Sequence, residues 1–129
     1  MDGNIAMMLA EKTWAVIGVT PNTDKFGYKI WKRLKDRGYD VYAVNPKYES
    51  IEGEPCYSSL SALPVKPAVI DFVVRRNITL QTLQEAHQLG IKNVWFQPGT
   101  YDEAVKEKAK ELGMNTVYDC VLVQLGKSE

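Results

Sequence analysis

Gly18 and Gly27 bracket the segment Gly18-Val19-Thr20-Pro21-Asn22-Thr23-Asp24-Lys25-Phe26-Gly27, and here residue types first suggest chemistry. A glycine that closes a strand removes the Cβ that would block a tight turn or an arriving ligand. A glycine in the first helical turn lets helix and sheet pack closely. The free amides at such a helix start can hold a phosphate, helped by the helix dipole. Thr20, Asn22 and Lys25 add donors. The spacing is not Gly-x-Gly-x-x-Gly, however, and an ordinary strand-to-helix turn accounts for the loop equally well.

Three further segments carry polar groups at the expected ends of apolar runs. Val44-Asn45-Pro46-Lys47 lacks the carboxylate that grips a ribose 2′-hydroxyl in nicotinamide dinucleotide sites. Lys47 instead offers a positive charge, which suits a phosphorylated ribose: the 2′-phosphate of NADP or the 3′-phosphate of coenzyme A. A solvated surface lysine is the commoner fate of this residue type, and Pro46 acts by fixing the turn. Val73-Val74-Arg75-Arg76 places two arginines past a buried run, facing either an anion or solvent. In Gln97-Pro98-Gly99 the amide can read a ligand amide or hydroxyl, and Gly99 permits close approach.

Groups that would do covalent or acid–base work are sparse. His87, the one histidine, falls within a helical pattern as a partly buried helix residue away from the strand ends. There is no Gly-x-Ser-x-Gly elbow and no Walker motif. Asp71 and Asp119 are not paired by spacing. Cys56 and Cys120 are too few for a disulfide framework and form no Cys-x-x-Cys pair. With one histidine they make no metal cage. The sequence therefore points to no catalytic residue and no metal.

These segments need a scaffold that gathers them. Five short runs rich in Val, Ile and aromatics, Thr13–Ile17, Val41–Val44, Val69–Val74, Val94–Phe96 and Thr116–Tyr118, are mostly continuous, as in strands buried on both faces of a parallel sheet. Helical patterns alternate with them. Gly27, Ile30, Trp31 and Leu34 form one stripe, stopped at Gly38. A second helix is predicted from about Ile78 to Leu89, capped by Asn77 and ended by Gly90. Thr100 and Glu103 form a capping box for a third, whose inner stripe is Tyr101, Ala104, Val105, Ala109 and Leu112, ended by Gly113. Ile5, Met8 and Leu9 suggest a docking helix within residues 1–12. The stretch Pro46–Lys66 reads as an irregular crossover with a weak turn at Ser59–Leu63. The expected fold is α/β: a Rossmann-like, doubly wound, five-stranded parallel sheet in three α/β/α layers. Its expected order is 3-2-1-4-5, with the switch point between strands one and four. Ligands of such sheets lie outside the carboxyl ends of the strands, where all the segments above fall.

The chain has 129 residues, with 16 Lys+Arg against 16 Asp+Glu. That is one domain over residues 1–129. Zero net charge argues against broad nucleic-acid binding, which needs a large cationic excess. No stretch approaches the ~20 apolar residues of a membrane helix, and no signal-peptide core is evident. The expected address is the cytoplasm.

Taken together, Ile17-Gly18-Val19-Thr20, Phe26-Gly27, Val44-Asn45-Pro46-Lys47, Val73-Val74-Arg75 and Trp95-Phe96-Gln97-Pro98-Gly99 resemble the coenzyme A-binding-domain proteins. These are small Rossmann-like proteins similar to the N-terminal domain of the succinyl-CoA synthetase alpha subunit. The resemblance runs from about Thr13 to Leu125. It implies that Gly18, Thr20 and Gly27 line a pyrophosphate and that Lys47 meets the ribose phosphate. It places Val73, Val74 and Arg75 on the adenine and ribose side, and Gln97, Pro98 and Gly99 against the pantetheine arm. Many members carry Asp-Arg-Cys after the last strand; this chain reads Asp119-Cys120 without that arginine. Synthetases sharing the domain use a phosphohistidine in a later domain, for which 129 residues leave no room. The resemblance thus implies a protein that binds coenzyme A or an acyl-CoA without chemistry of its own. An NADP-binding oxidoreductase or redox-sensing domain, and an interaction subunit of a larger acyl-CoA-handling complex, are the alternatives. A homodimer or a protein partner is compatible with each.

Overall fold

Trp14, Ala15, Val16 and Ile17 are all buried, which a strand achieves only when covered on both faces. They form β1 (Thr13–Ile17) in the computed structural model, which describes residues 3–127. Preceding it is α1 (Gly3–Leu9), docked through the fully buried Met8, and Asn4 donates from its side-chain amide to the Thr116 carbonyl at 3.2 Å. The order continues α2 (Phe26–Asp36), β2 (Asp40–Val44), β3 (Ser50–Ile51), β4 (Glu54–Tyr57), a 3-10 turn at Leu60–Ala62 and β5 (Val69–Phe72). It closes with α3 (Arg76–Gln88), β6 (Asn93–Phe96), α4 (Glu103–Glu111), β7 (Asn115–Tyr118) and α5 (Val121–Lys127).

Side chains alternate across the sheet and divide the core in two. Trp14, Val16, Val69, Trp95 and Val117 face Met8 of α1, Ile30, Trp31 and Leu34 of α2, and Val121 and Leu125 of α5. Ala15, Ile17, Ile70, Phe72, Val94 and Phe96 face Leu83 and Ala86 of α3 and Val105 and Ala109 of α4. The three-layer, Rossmann-like expectation holds.

The expected strand number and order do not. The sheet has seven strands in the order β3-β4-β2-β1-β5-β6-β7. All pairs are parallel except β3–β4. Two strands were hidden in Pro46–Lys66. They form a two-residue hairpin turning at Glu52 (φ 50°) and Gly53 (φ 80°), the pair of positive φ values that a type I′ turn requires. Tyr28 donates its hydroxyl to Glu52 at 2.6 Å, tying the hairpin to α2. Because β4 takes the place beyond β2, the run Val69–Phe72 lies on the other side of β1. The switch point is therefore between β1 and β5, not between β1 and Asn93–Phe96.

Helix boundaries differ at two places. The second helix begins at Arg76, with Arg75 as N-cap and no side-chain cap, so Asn77 lies inside it. The third is capped by Asp102, whose carboxylate accepts from the Val105 amide at 3.0 Å, while the Thr100 hydroxyl turns back to the Gln97 carbonyl at 2.8 Å. Asp-for-Ala exchange at such a cap costs about 1 kcal/mol; Asp102→Ala is expected to lower chemical-denaturation stability by that amount, and an unchanged midpoint would rule the cap out. Ala104 faces solvent rather than the core, and His87 is exposed. Helix α5 has no counterpart among the expected elements.

Candidate ligand-binding site

The carboxyl ends of β1, β2 and β5 meet at Gly18. Its φ is +105°, and a Cβ there would lie 2.4 Å from the Val73 carbonyl oxygen. Gly27, in the first turn of α2, backs onto the same spot: its Cβ would stand 2.1 Å from the Gly18 carbonyl oxygen. Both glycines are required by close approach, so the start of α2 is pressed against the ends of β1 and β5. That start has Lys25 as N-cap, no side-chain cap and no acidic residue in its first turn. Its amides and positive dipole end are left for an anion.

The intervening loop is shaped by its own polar groups. The Thr20 hydroxyl accepts from the Asn22 amide at 3.2 Å, and the Asn22 side-chain oxygen accepts from the Asp24 amide at 3.0 Å. Val19 is fully buried and serves as an anchor under the loop, with its carbonyl accepting from the Asn45 side-chain amide at 2.9 Å. Asn45 also accepts from the Lys47 amide at 2.9 Å. The turn after β2 is thereby locked to the turn after β1, with Pro46 and Lys47 exposed on top.

Two recesses open from this junction. One, about 420 Å³, runs from Gly18, Asn45 and Lys47 past Val73, Val74 and Arg75. Its far walls are Ser58, Ser59 and Leu60, and Ile78, Thr82 and Glu85 of α3. The other, about 570 Å³, lies over the glycine loop and includes Thr20, Asn22, Lys25, Phe26, Gly27 and Tyr48. Gly18, Asn45, Lys47, Val73 and Arg75 border both, making a continuous trough. Lys25, Lys47 and Arg75 project into it, and none forms an ion pair among the described residues. Phe26 stands at the rim, 61% exposed. A cationic, partly apolar trough over a helix start suits a phosphorylated nucleotide.

A third recess, about 530 Å³, adjoins at Arg75 and contains Arg76, Asn77 and Gly99. Gln97 lines none of the three. It is 4% exposed, and its side-chain oxygen accepts from the Val121 amide at 3.0 Å, so it holds α5 to the sheet. Pro98 is exposed on the neighbouring turn. Thirteen of the sixteen expected ligand residues line the three recesses, and Val19, Gln97 and Pro98 stand apart. The wall formed by Ile78, Thr82 and Glu85 escaped sequence reasoning. Its signal is an i, i+4, i+7 stripe, visible once α3 starts at Arg76. Glu85 closes that end by accepting from the Ser61 hydroxyl at 2.8 Å.

Beneath the trough, on β5, Asp71 is fully buried and neither carboxylate oxygen has a hydrogen-bond partner. Burial, and secondarily the neighbouring Cys120, hold its carboxyl well above the usual carboxylate range. Cys56 is buried, and burial pushes its thiol up. No group of side chains that could hold a metal ion occurs among the described residues. No helix among them is long and apolar enough to cross a membrane.

Comparison with known proteins follows the same lines. The ADP-forming acetate–CoA ligase I of Archaeoglobus fulgidus is 34% identical over 99 residues, 77% of this chain but 14% of that protein. The alpha subunit of the ADP-forming acetate–CoA ligase II of Pyrococcus furiosus is 33% identical over 98 residues, 75% of this chain and 21% of the subunit. The chain thus spans only a small fraction of these relatives. Among solved structures, a hypothetical protein from Pyrococcus horikoshii OT3 superposes with a TM-score of 0.86 at 37% identity, covering 92% of this chain and 84% of that one. The family model described as the CoA binding domain matches residues 12–126, nearly every element described above, and the chain belongs to that family.

Proposed function

We propose that this protein holds coenzyme A along the carboxyl edge of its sheet, without chemistry of its own. The observation that carries this reading is the trough itself: three cations without an ion pair among the described residues, around a tightly packed glycine junction, in a chain of the CoA binding domain family. The pyrophosphate lies against Gly18, Gly27 and the α2 start, with Lys25 beside it. Lys47 meets the ribose 3′-phosphate. The adenine enters the recess between Leu60, Val74 and Ile78, with Arg75 at its mouth. The pantetheine arm leaves past Arg75 toward Pro98 and Gly99. The comparisons lend no support to NADP as the ligand. In this reading any acyl chemistry is carried by other domains or by a protein partner.

Thermal unfolding with coenzyme A, dephospho-coenzyme A, NADP and NAD tests the assignment. A ligand at a hundred times its Kd stabilises by about 2.7 kcal/mol, and coenzyme A is expected to give the largest rise in Tm. Lys47→Ala is expected to weaken coenzyme A by about tenfold, or about 1.4 kcal/mol, and to leave dephospho-coenzyme A nearly unchanged. Equal responses to NAD and coenzyme A, or none to either, would overturn the reading.

A further inference from the structure

We propose that the recess between the starts of α3 and α4 takes the acyl group of a short acyl-coenzyme A whose far end is a carboxylate, held by Arg75 and Arg76. The inference rests on the binding reading above and names the class of ligand that the same trough accepts.

Reach is the first argument. Strands β1, β5 and β6 are consecutive neighbours, and adjacent strands lie about 4.8 Å apart, so the end of β6 stands about 10 Å from the glycine junction. The pantetheine arm, from the pyrophosphate to sulfur, is about as long as four extended residues, or about 14 Å. An arm laid along the carboxyl edge from Gly18 therefore brings its sulfur to the turn after β6. The recess of about 530 Å³ opens at that turn. Arg75, Arg76, Asn77 and Leu80 line it from the α3 side, and Gly99 and Asp102 from the α4 side. Gly99 has a φ of +88° and nothing within 4 Å of an added Cβ, so its wall is bare backbone beside open space.

Charge is the second argument. Arg75 and Arg76 are exposed, and neither forms an ion pair among the described residues. Arg75 is the N-cap of α3 and Arg76 its first residue, with no acidic residue in the first turn. Two cations at the positive end of a helix dipole oppose the dipole and repel each other. That placement costs the fold a little stability, and an anion between the guanidiniums relieves it. Asp102 is the one acid lining the recess, and its carboxylate is already engaged by the Val105 amide at 3.0 Å. Two guanidiniums against one carboxylate leave an excess of positive charge.

The chemistry of the walls selects the acyl group. A guanidinium presents parallel N–H donors that match both oxygens of a carboxylate. Leu80 is the one large apolar side chain lining the recess, enough to cover a few methylenes and too little for a fatty chain. A short neutral acyl group would leave both guanidiniums unused. A carboxylate a few methylenes beyond the thioester meets them, and Asn77 adds an amide donor beside it.

Isothermal titration with glutaryl-coenzyme A and valeryl-coenzyme A tests the proposal, because the two acyl chains are equally long and differ in the terminal carboxylate. The natural protein is expected to bind the glutaryl form about fivefold more tightly, the upper range for an exposed ion pair, and the preference is expected to narrow as salt is raised. Arg76→Gln is expected to erase most of it while leaving valeryl-coenzyme A and free coenzyme A unchanged, with a Tm without ligand no lower than that of the natural protein. Asp102→Asn keeps a capping residue and is expected to widen the preference. Equal affinities for the two thioesters, tighter binding of the valeryl form, or a preference untouched by Arg76→Gln would overturn the proposal. Free coenzyme A separates the failures. If it binds and the two thioesters are not distinguished, the binding reading stands and the carboxylate site falls; if neither it nor either thioester binds, both fall.

Discussion

Gly27→Ala is expected to lower the unfolding free energy by about 3 kcal/mol, in the upper range for overpacking. Helix propensity alone would predict the opposite sign, since alanine is favoured over glycine inside a helix by about 1 kcal/mol. Sterics win because the new Cβ would stand 2.1 Å from the Gly18 carbonyl oxygen and 3.3 Å from the Val19 Cα. These are backbone atoms of a strand end that is itself fixed: the Gly18 amide donates to the Val44 carbonyl at 2.9 Å. Relief requires α2 to move off the sheet, which also pulls its first-turn amides away from the trough. The stabilisation by coenzyme A should fall with it. Gly126 provides the control, because it too is helical and has nothing within 4 Å of an added Cβ. Gly126→Ala is therefore expected to be neutral or slightly stabilising. Urea unfolding of the two variants decides the matter, and a Gly27→Ala midpoint equal to that of the natural protein would refute the packing argument.

The second large effect concerns pH. In the unfolded chain Asp71 titrates near the ordinary value of about 3.9, while in the folded chain burial holds it well above its usual range. The native state therefore binds this proton more tightly than the unfolded state. The stabilisation is fully present below the unfolded value and is lost as pH rises through the folded one. Asp71→Asn has no such proton to lose. Its stability is expected to vary less with pH over that window, and to exceed that of the natural protein by about 1–3 kcal/mol above it, the scale of one buried polar group left unsatisfied. Parallel unfolding curves of the two proteins at every pH would refute this account.

Much of this architecture was legible in the residues. Strands β1, β5 and β6 announce themselves because burial on both faces demands unbroken apolar runs, and β2 and β7, less buried, still carry short runs of Val, Tyr and Thr that favour strands. The hairpin did not, because its strands lie toward the sheet edge and need no such run: Glu54-Pro55-Cys56-Tyr57 buries only Cys56, and its turn is Glu-Gly instead of the stronger Asn-Gly or Asp-Gly signal. Missing those strands put Val69–Phe72 on the wrong side of β1 and set β6 and β7 one place too close to β1. In the site, the glycine loop and the Asn45, Lys47 and Arg75 positions were readable because strand ends converge in such sheets. Gln97 was ambiguous because an amide side chain looks the same whether it faces a ligand or a backbone N–H, and here its oxygen accepts from the Val121 amide. Helix α5 escaped because Val121-Leu122-Val123 suits a strand as well as a helix.

The sheet's two outer boundaries have a consequence for self-association. Open sheets tend to recruit further strands along any long, unpaired margin. At one margin β3 spans only Ser50 and Ile51, too short a rail for an incoming strand. At the other, the Asn4 side chain already occupies the Thr116 carbonyl. The N-terminal helix is thus a partial guard on the β7 margin as well as a packing element, and between it and the two-residue β3 the sheet offers little open rail to an incoming strand.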